Sequence, residues 1–198
     1  MLEKLRTLNG DGLMTHNNNL TELRRLNTSI VIVEPHADDA FLSTHGHIVK
    51  WMRKGHSIHI VTLHMSDNPV RLVEAKAYAD KVVAAWTGHD VGDGKPTVAL
   101  PTGQLILPLG IRHPDHVLAR QTLETPAAWF YLDMPYAIVQ RDGDLVNDLL
   151  RGMEIVSLLK PHANKWRNLK IFKSQSSYFS MRGRDEQRKA SFELIVKR

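Results

Sequence analysis

Apolar and polar positions along the chain fall into short blocks whose period switches between strand and helix. Ser29 to Glu34 (SIVIVE) is a β-branched run ended by Pro35, which cannot donate to a sheet ladder; it predicts a buried strand. From Ala40 to Lys54 the apolar positions Phe41, Leu42, Ile48, Val49 and Met52 recur at helical spacing, and Gly55 provides a common helix stop. Ser57 to Leu63 predicts a second strand. Arg71 to Trp86 predicts a second helix with Leu72, Ala75, Ala79, Val82 and Val83 on one side, closed by Gly88. Thr97 to Leu100 reads as a third strand, and residues 101–126, with four prolines, as loop-rich. Ala128 to Leu132 predicts a strand, Leu145 to Leu159 a helix ended by Pro161, and Phe192 to Val196 a last strand. Residues 1–28 form a polar extension in which Leu20, Leu23 and Leu26 could share a helical face.

Strands alternating with helices imply an α/β fold: a mostly parallel sheet covered on both faces, Rossmann-like and three-layered, with right-handed crossovers. At 198 residues the chain suits a single domain, taken as 29–198 beyond the extension. No apolar run is long enough to span a bilayer and the start has no signal-peptide pattern, so a cytoplasmic location is expected.

Composition narrows the chemistry. Without cysteine, disulfides and thiolate metal sites are excluded, and any metal must be held by carboxylates and some of the eleven histidines. The net charge of +5 fits an anionic substrate or partner, though solubility alone also accounts for it. The basic residues are dispersed, with a mild concentration at Arg182, Arg184, Arg188, Lys189, Lys197 and Arg198.

Two short constellations carry the candidate chemistry. Pro35-His36-Ala37-Asp38-Asp39 follows the first strand, and ligands of open α/β sheets bind outside the carboxyl ends of strands. His36 and Asp39 are three residues apart, so one turn brings imidazole and carboxylate together as a half-site for zinc. Asp38 projects differently and could reach a metal-bound water. Equally, Asp38 or Asp39 could cap the following helix. The second constellation is His113-Pro114-Asp115-His116. One histidine could bind a metal and the other serve the reaction, with Asp115 accepting a ring proton to orient a histidine. Alone, this segment also suits a polar loop with a helix start.

PHADD at 35–39 and HPDH at 113–116 together resemble the paired motifs of the LmbE-like, or PIG-L-type, N-acetylglucosaminyl deacetylases. The likeness extends to the strand at 57–63, the start of the helix at Arg71, and Lys165 to Gln175 (KWRNLKIFKSQ). The sequence departs from the family pattern at Ala37, usually proline, near Ala40, usually acidic, and at His45-Gly46, usually a glycine pair. The resemblance implies that His36, Asp39 and His116 bind one divalent metal, Zn2+ by default with Fe2+ as the other choice. It implies Asp38 as general base, His113 supported by Asp115 as oxyanion or proton donor, and Arg71 as a substrate contact; Arg112, beside His113, could meet an anionic group. Lys173 and Gln175 are expected at the rim. His45, His47 and His64, and the aromatic run Trp129-Phe130-Tyr131, are expected to be structural.

The implied activity is metal-dependent removal of an acetyl group from an N-acetylglucosamine-type amino sugar or its conjugate. The same amidase chemistry on a nucleotide-linked sugar, glycopeptide, glycolipid or modified nucleobase glycoside is the nearest alternative. A distant one is an inactive relative gripping nucleic acid, for which the chain has no recognisable binding signature.

Overall fold

The structure is a computed structural model that describes residues 29–64, 69–91, 98–139, 143–160, 165–175 and 192–198. The expected extension at 1–28 and the basic positions Arg182, Arg184, Arg188 and Lys189 lie outside the described residues. The element order is β1 (Ile30–Glu34), α1 (Asp39–Arg53), β2 (Ile58–Thr62), α2 (Pro69–Lys81), β3 (Ala85–Gly88), β4 (Gln104–Pro108), α3 (Pro114–Leu123), β5 (Trp129–Tyr131), α4 (Tyr136–Val139), α5 (Gly143–Leu150), β6 (Glu154–Leu159) and β7 (Glu193–Lys197). Two 3-10 turns, Trp166–Ile171 and Lys173–Gln175, precede β7.

One seven-stranded sheet runs in the order β3-β2-β1-β4-β5-β7-β6. The pairings from β3 to β5 are parallel, while β7 is antiparallel to both β5 and β6. The expected mostly parallel α/β architecture is therefore the one found. Every residue of β1 is buried, which explains its unbroken apolar run: a central parallel strand is covered on both faces. Phe41, Ile48 and Trp51 of α1 are buried, and so are Trp129, Phe130 and Tyr131 of β5, the last as expected of core aromatics. Gly55 ends α1 at φ +83, a conformation with little cost for glycine alone.

Three expected elements differ. The second helix stops at Lys81, and Val83 at φ 56 turns the chain so that Ala85–Gly88 can pair with β2. Of the residues expected on one side of that helix, Ala75, Ala79 and Val82 are buried, whereas Leu72 and Val83 are exposed at 41% and 75%. Residues 98–100 form no strand, and Thr97 lies outside the described residues; the strand beside β1 is instead Gln104–Pro108, inside the supposed loop, and α3 follows it. The helix expected over Leu145–Leu159 ends at Leu150, Gly152 turns at φ 76, and Glu154–Leu159 is a strand. Each error concerns a short apolar run, where periodicity alone cannot separate strand from helix.

From β1 the chain proceeds one way to β2 and β3, and β4 then lies on the other side of β1. This reversal of direction opens a crevice at the carboxyl ends of β1 and β4, where ligands of such sheets bind. No described helix is long and apolar enough to cross a membrane.

Candidate metal centre and catalytic cleft

Both sequence constellations flank that crevice. Pro35 to Asp38 links β1 to α1, and Leu109 to His113 links β4 to α3. Between them is a cavity of about 320 Å³ lined by His36, Asp38, Asp39, Arg71, His113 and Tyr136, with Leu42, Pro135 and Gln175 completing the wall.

The first loop is held by an acceptor that the sequence reading passed over. Glu34, buried at the end of β1, accepts the Ala40 N–H at 2.8 Å and the Thr62 hydroxyl at 2.6 Å. Asp38, in the helix N-cap position, makes no side-chain capping bond. Glu34 thus serves the helix start and leaves the Asp38 carboxylate for the cavity. Burial pushes Glu34 up to about 8. Burial, followed by Asp39, also raises Asp38 to about 6, with Arg71 opposing.

Asp39 is the point of convergence. Its Oδ2 accepts the His36 backbone N–H at 2.8 Å and lies 3.4 Å from His36 Nδ1 and 3.1 Å from His116 Nε2. Burial alone would raise Asp39, but His116 and His36 outweigh it and hold the carboxyl well below the ordinary range. His116 is fully buried. Burial disfavours its cation, yet Asp39 and Asp133 outweigh that and bring it up to about 10. Despite the short distances, neither ring nitrogen of His116 has a hydrogen-bond partner of acceptable geometry.

Asp133, two residues past the end of β5, is the second residue the sequence reading missed. It accepts the backbone N–H of Leu109 at 3.1 Å and that of Ile111, and its Oδ1 lies 3.5 Å from His116 Nδ1. One buried carboxylate therefore fixes the β4–α3 loop and faces the histidine that the loop presents. Its position past a buried strand, the rule that singled out His36, would have found it. Arg120 adds a second tie, donating to the Leu109 carbonyl at 2.6 Å. Arg112, at φ 55, takes a left-handed turn just before His113.

His113 caps α3: its Nδ1 accepts the Asp115 N–H at 3.3 Å, with Pro114 opening the helix. Burial, then His36 and His116, lower its basicity, so a neutral ring with Nδ1 accepting carries its proton on Nε2. Asp115 does not hold His113 as expected. Its Oδ2 pairs with His36 Nε2 at 2.9 Å and stays 3.7 Å from His113 Nδ1, because the His113 nitrogen is taken by backbone.

Arg71 and Gln175 line the cavity, whereas Arg112 and Lys173 are exposed and not part of its lining. Tyr136, not anticipated, stands 5.5 Å from the His113 ring and 5.2 Å from the His116 ring, centroid to centroid. His45 and His47 are buried away from the cavity, hydrogen-bonded to Tyr78 and Glu193 respectively. His64 is nearer than a purely structural residue need be, its ring 5.9 Å from that of His36.

These residues fit a divalent cation. One nitrogen each from His36, His113 and His116 lie within 4.8 Å of one another, and His116 contributes a buried, unbonded Nε2. Donor atoms about 2.0–2.2 Å from one tetrahedral ion are themselves roughly 3.3–3.6 Å apart. The Asp39 Oδ2 distances to His36 Nδ1 and His116 Nε2 lie close to that spacing.

The sequence matches no family model and no curated protein. Solved structures do share its fold. The zinc-inhibited form of teicoplanin deacetylase Orf2 aligns with a TM-score of 0.60 at 14% identity, over 85% of this chain and 97% of that one. The deacetylase Dbv21, acting on the A40926 pseudoaglycone, aligns at 0.57 and 17% identity, over 86% and 96%. GalB, the 4-carboxy-2-hydroxymuconate hydratase of Pseudomonas putida KT2440, aligns at 0.53 and 15% identity, over 77% and 82%. The mostly parallel α/β fold is thus one that these solved structures share.

Proposed function

We propose that this chain is a metal-dependent N-deacetylase acting on an N-acetylglucosamine-type amino sugar or its conjugate. The observation that carries this reading is the Asp39 carboxylate between His36 and His116, beside an Asp38 carboxylate that caps nothing. Two of the solved structures sharing the fold are deacetylases, one of teicoplanin and one of the A40926 pseudoaglycone, which points the same way.

His36, Asp39 and His116 would hold the cation, with Zn2+ or Fe2+ both suited to the donors. When bound, it supplies Lewis acidity toward the amide carbonyl and a water. Asp38, raised to about 6 yet still ionised at neutral pH, takes the proton of the attacking water. His113 Nε2–H donates to the oxyanion as the carbonyl carbon becomes tetrahedral. The C–N bond then breaks, and Asp38 returns its proton to the departing nitrogen, giving acetate and a free amine. Asp115 steadies His36, and Arg71 offers a fixed cation to a hydroxyl or anionic group of the substrate. Tyr136 narrows the cavity beside the two histidines.

The test is metal content of protein loaded with Zn2+ or Fe2+, together with acetate release from N-acetylglucosamine and a panel of its conjugates. Asp38→Asn should lower turnover by roughly 10²–10⁴-fold and keep the metal. Undiminished turnover in that variant would remove the base, and failure to load any divalent ion would remove the centre. Asp39→Ala should lose the ion while His113→Ala retains it; the reverse pattern would exchange their roles.

The likeness to a hydratase favours one other reading, addition of water to a carbonyl-conjugated double bond by the same base and cation. Loss of conjugated absorbance without acetate release would select it.

A further inference from the structure

A second cavity, of about 340 Å³, opens between the later half of α1 and the facing ends of β6 and β7. Val49 and Leu159 give it an apolar wall, and Lys50, Arg53, Lys54 and Lys160 surround it. The three α1 cations stand at i, i+3 and i+4, so they share one face of the helix, and Lys160 comes from a different element. None of the four makes a salt bridge or side-chain hydrogen bond among the described residues. The one carboxylate in the lining, Glu193, is already committed. It accepts from Gly46 N–H at 2.9 Å, Lys165 Nζ at 3.0 Å, and both the backbone N–H and Nδ1 of His47 at 3.1 Å.

Basic residues near a helix C-terminus complement the helix dipole, which accounts for Lys50 and Arg53. That effect explains neither Lys160 nor the concave apolar wall. Like charges four residues apart, as in Lys50 and Lys54, repel. Burial and Lys54 together depress the Lys50 ammonium, so the arrangement has a cost that an anion would relieve.

We infer that this cavity binds an anionic amphiphile, a small molecule with a carboxylate, sulfonate or phosphate head and an apolar body. Its volume is in the range of small-ligand pockets. A nucleic acid fits less well: no Phe, Tyr or Trp among the described residues lines the cavity to stack a base. This site is independent of the deacetylase reading, because it shares no residue with the His/Asp cleft.

The probe is 8-anilinonaphthalene-1-sulfonate, followed by its fluorescence and by calorimetry on the full chain. Saturable binding near one equivalent is expected. The double variant Lys50→Glu/Lys54→Glu should weaken it by at least about tenfold, and so should high salt. The neutral pair Lys50→Gln/Lys54→Gln should fall in between, and Arg71→Ala, in the other cleft, should leave it unchanged. All variants should melt within a few degrees of the parent chain. Equal binding by the charge-reversed protein would overturn the inference, as would equally tight binding of the uncharged N-phenyl-1-naphthylamine. Competition by duplex DNA but not by dodecanoate would replace the small anion with a polyanion and overturn it too.

Discussion

Asp38 and Asp39 are adjacent and identical in chemistry, yet the fold gives them opposite characters. Asp39 sits between two imidazoles and is held ionised, whereas Asp38 is half-buried beside that negative charge and is raised to about 6. The difference depends on what surrounds them, and Asp133 and Glu34 supply much of it. Asp133→Ala should therefore weaken metal binding by about 10–100-fold without removing a ligand, since it frees both the His116 ring and the loop. Competition with a chelator would measure this, and an unchanged affinity would make Asp133 a loop anchor only. The motif residues were legible from the sequence because strand-end position and ligand type can be read locally. The partners of His116 and Asp115 were not, because they are set by contacts across the sheet: His36 and Asp115 are 79 positions apart.

At the level of elements, α1 is fastened at its start and at its middle. Its start is tied to β1 through Glu34, and its middle to β7 through Glu193, which accepts from Gly46, His47 and the buried Lys165. Gly46 permits this close approach: a Cβ there would lie 3.1 Å from the Glu193 carboxylate, which would have to give by a few tenths of an ångström. Burial disfavours ionised Glu193, but Lys165 and His47 outweigh it and keep its acidity far above normal, while burial keeps His47 neutral. Both shifts act in the same direction. The unfolded chain takes up protons that the folded chain refuses, first at His47 near its ordinary value and then at Glu193 below about 4.5. The stability that these two groups contribute should thus be full at neutral pH and decline as pH falls below about 6.5. Glu193→Gln should destabilise the protein by about 3–5 kcal/mol at pH 7, because Lys165 loses its counter-charge, and should flatten the acid limb. Urea titrations at several pH values would show it; a parallel pH profile in the variant would exclude Glu193 as its source. The elements themselves were only partly legible. β1, α1, β2 and β7 could be read from their patterns, whereas β3, β4 and β6 were misassigned because their strand character comes from pairing with neighbours.

For the whole molecule, the cleft brings two imidazole–carboxylate loops to the centre of the sheet, and their mutual repulsion or protonation must be balanced when no cation is present. A cation bound only by the folded chain stabilises it by mass action, about 2.7 kcal/mol at a hundred times the dissociation constant. For a domain of this size that corresponds to a melting-temperature rise of roughly 5–11 °C. Thermal melts with Zn2+, Fe2+ or chelator would reveal it. The His116→Ala variant should not respond; an equal response from it would place the ion elsewhere.

The strand order carries one more consequence. β7 comes after β6 in the chain but lies between β5 and β6. As the polypeptide leaves the ribosome, β1 to β5 and the loops of the cleft can assemble first, with β5 as a temporary border. β6 then waits, unable to join, until the later segment slots in against it. The nascent protein thus passes through a stage with an open sheet margin, the period when association with another chain is most to be expected.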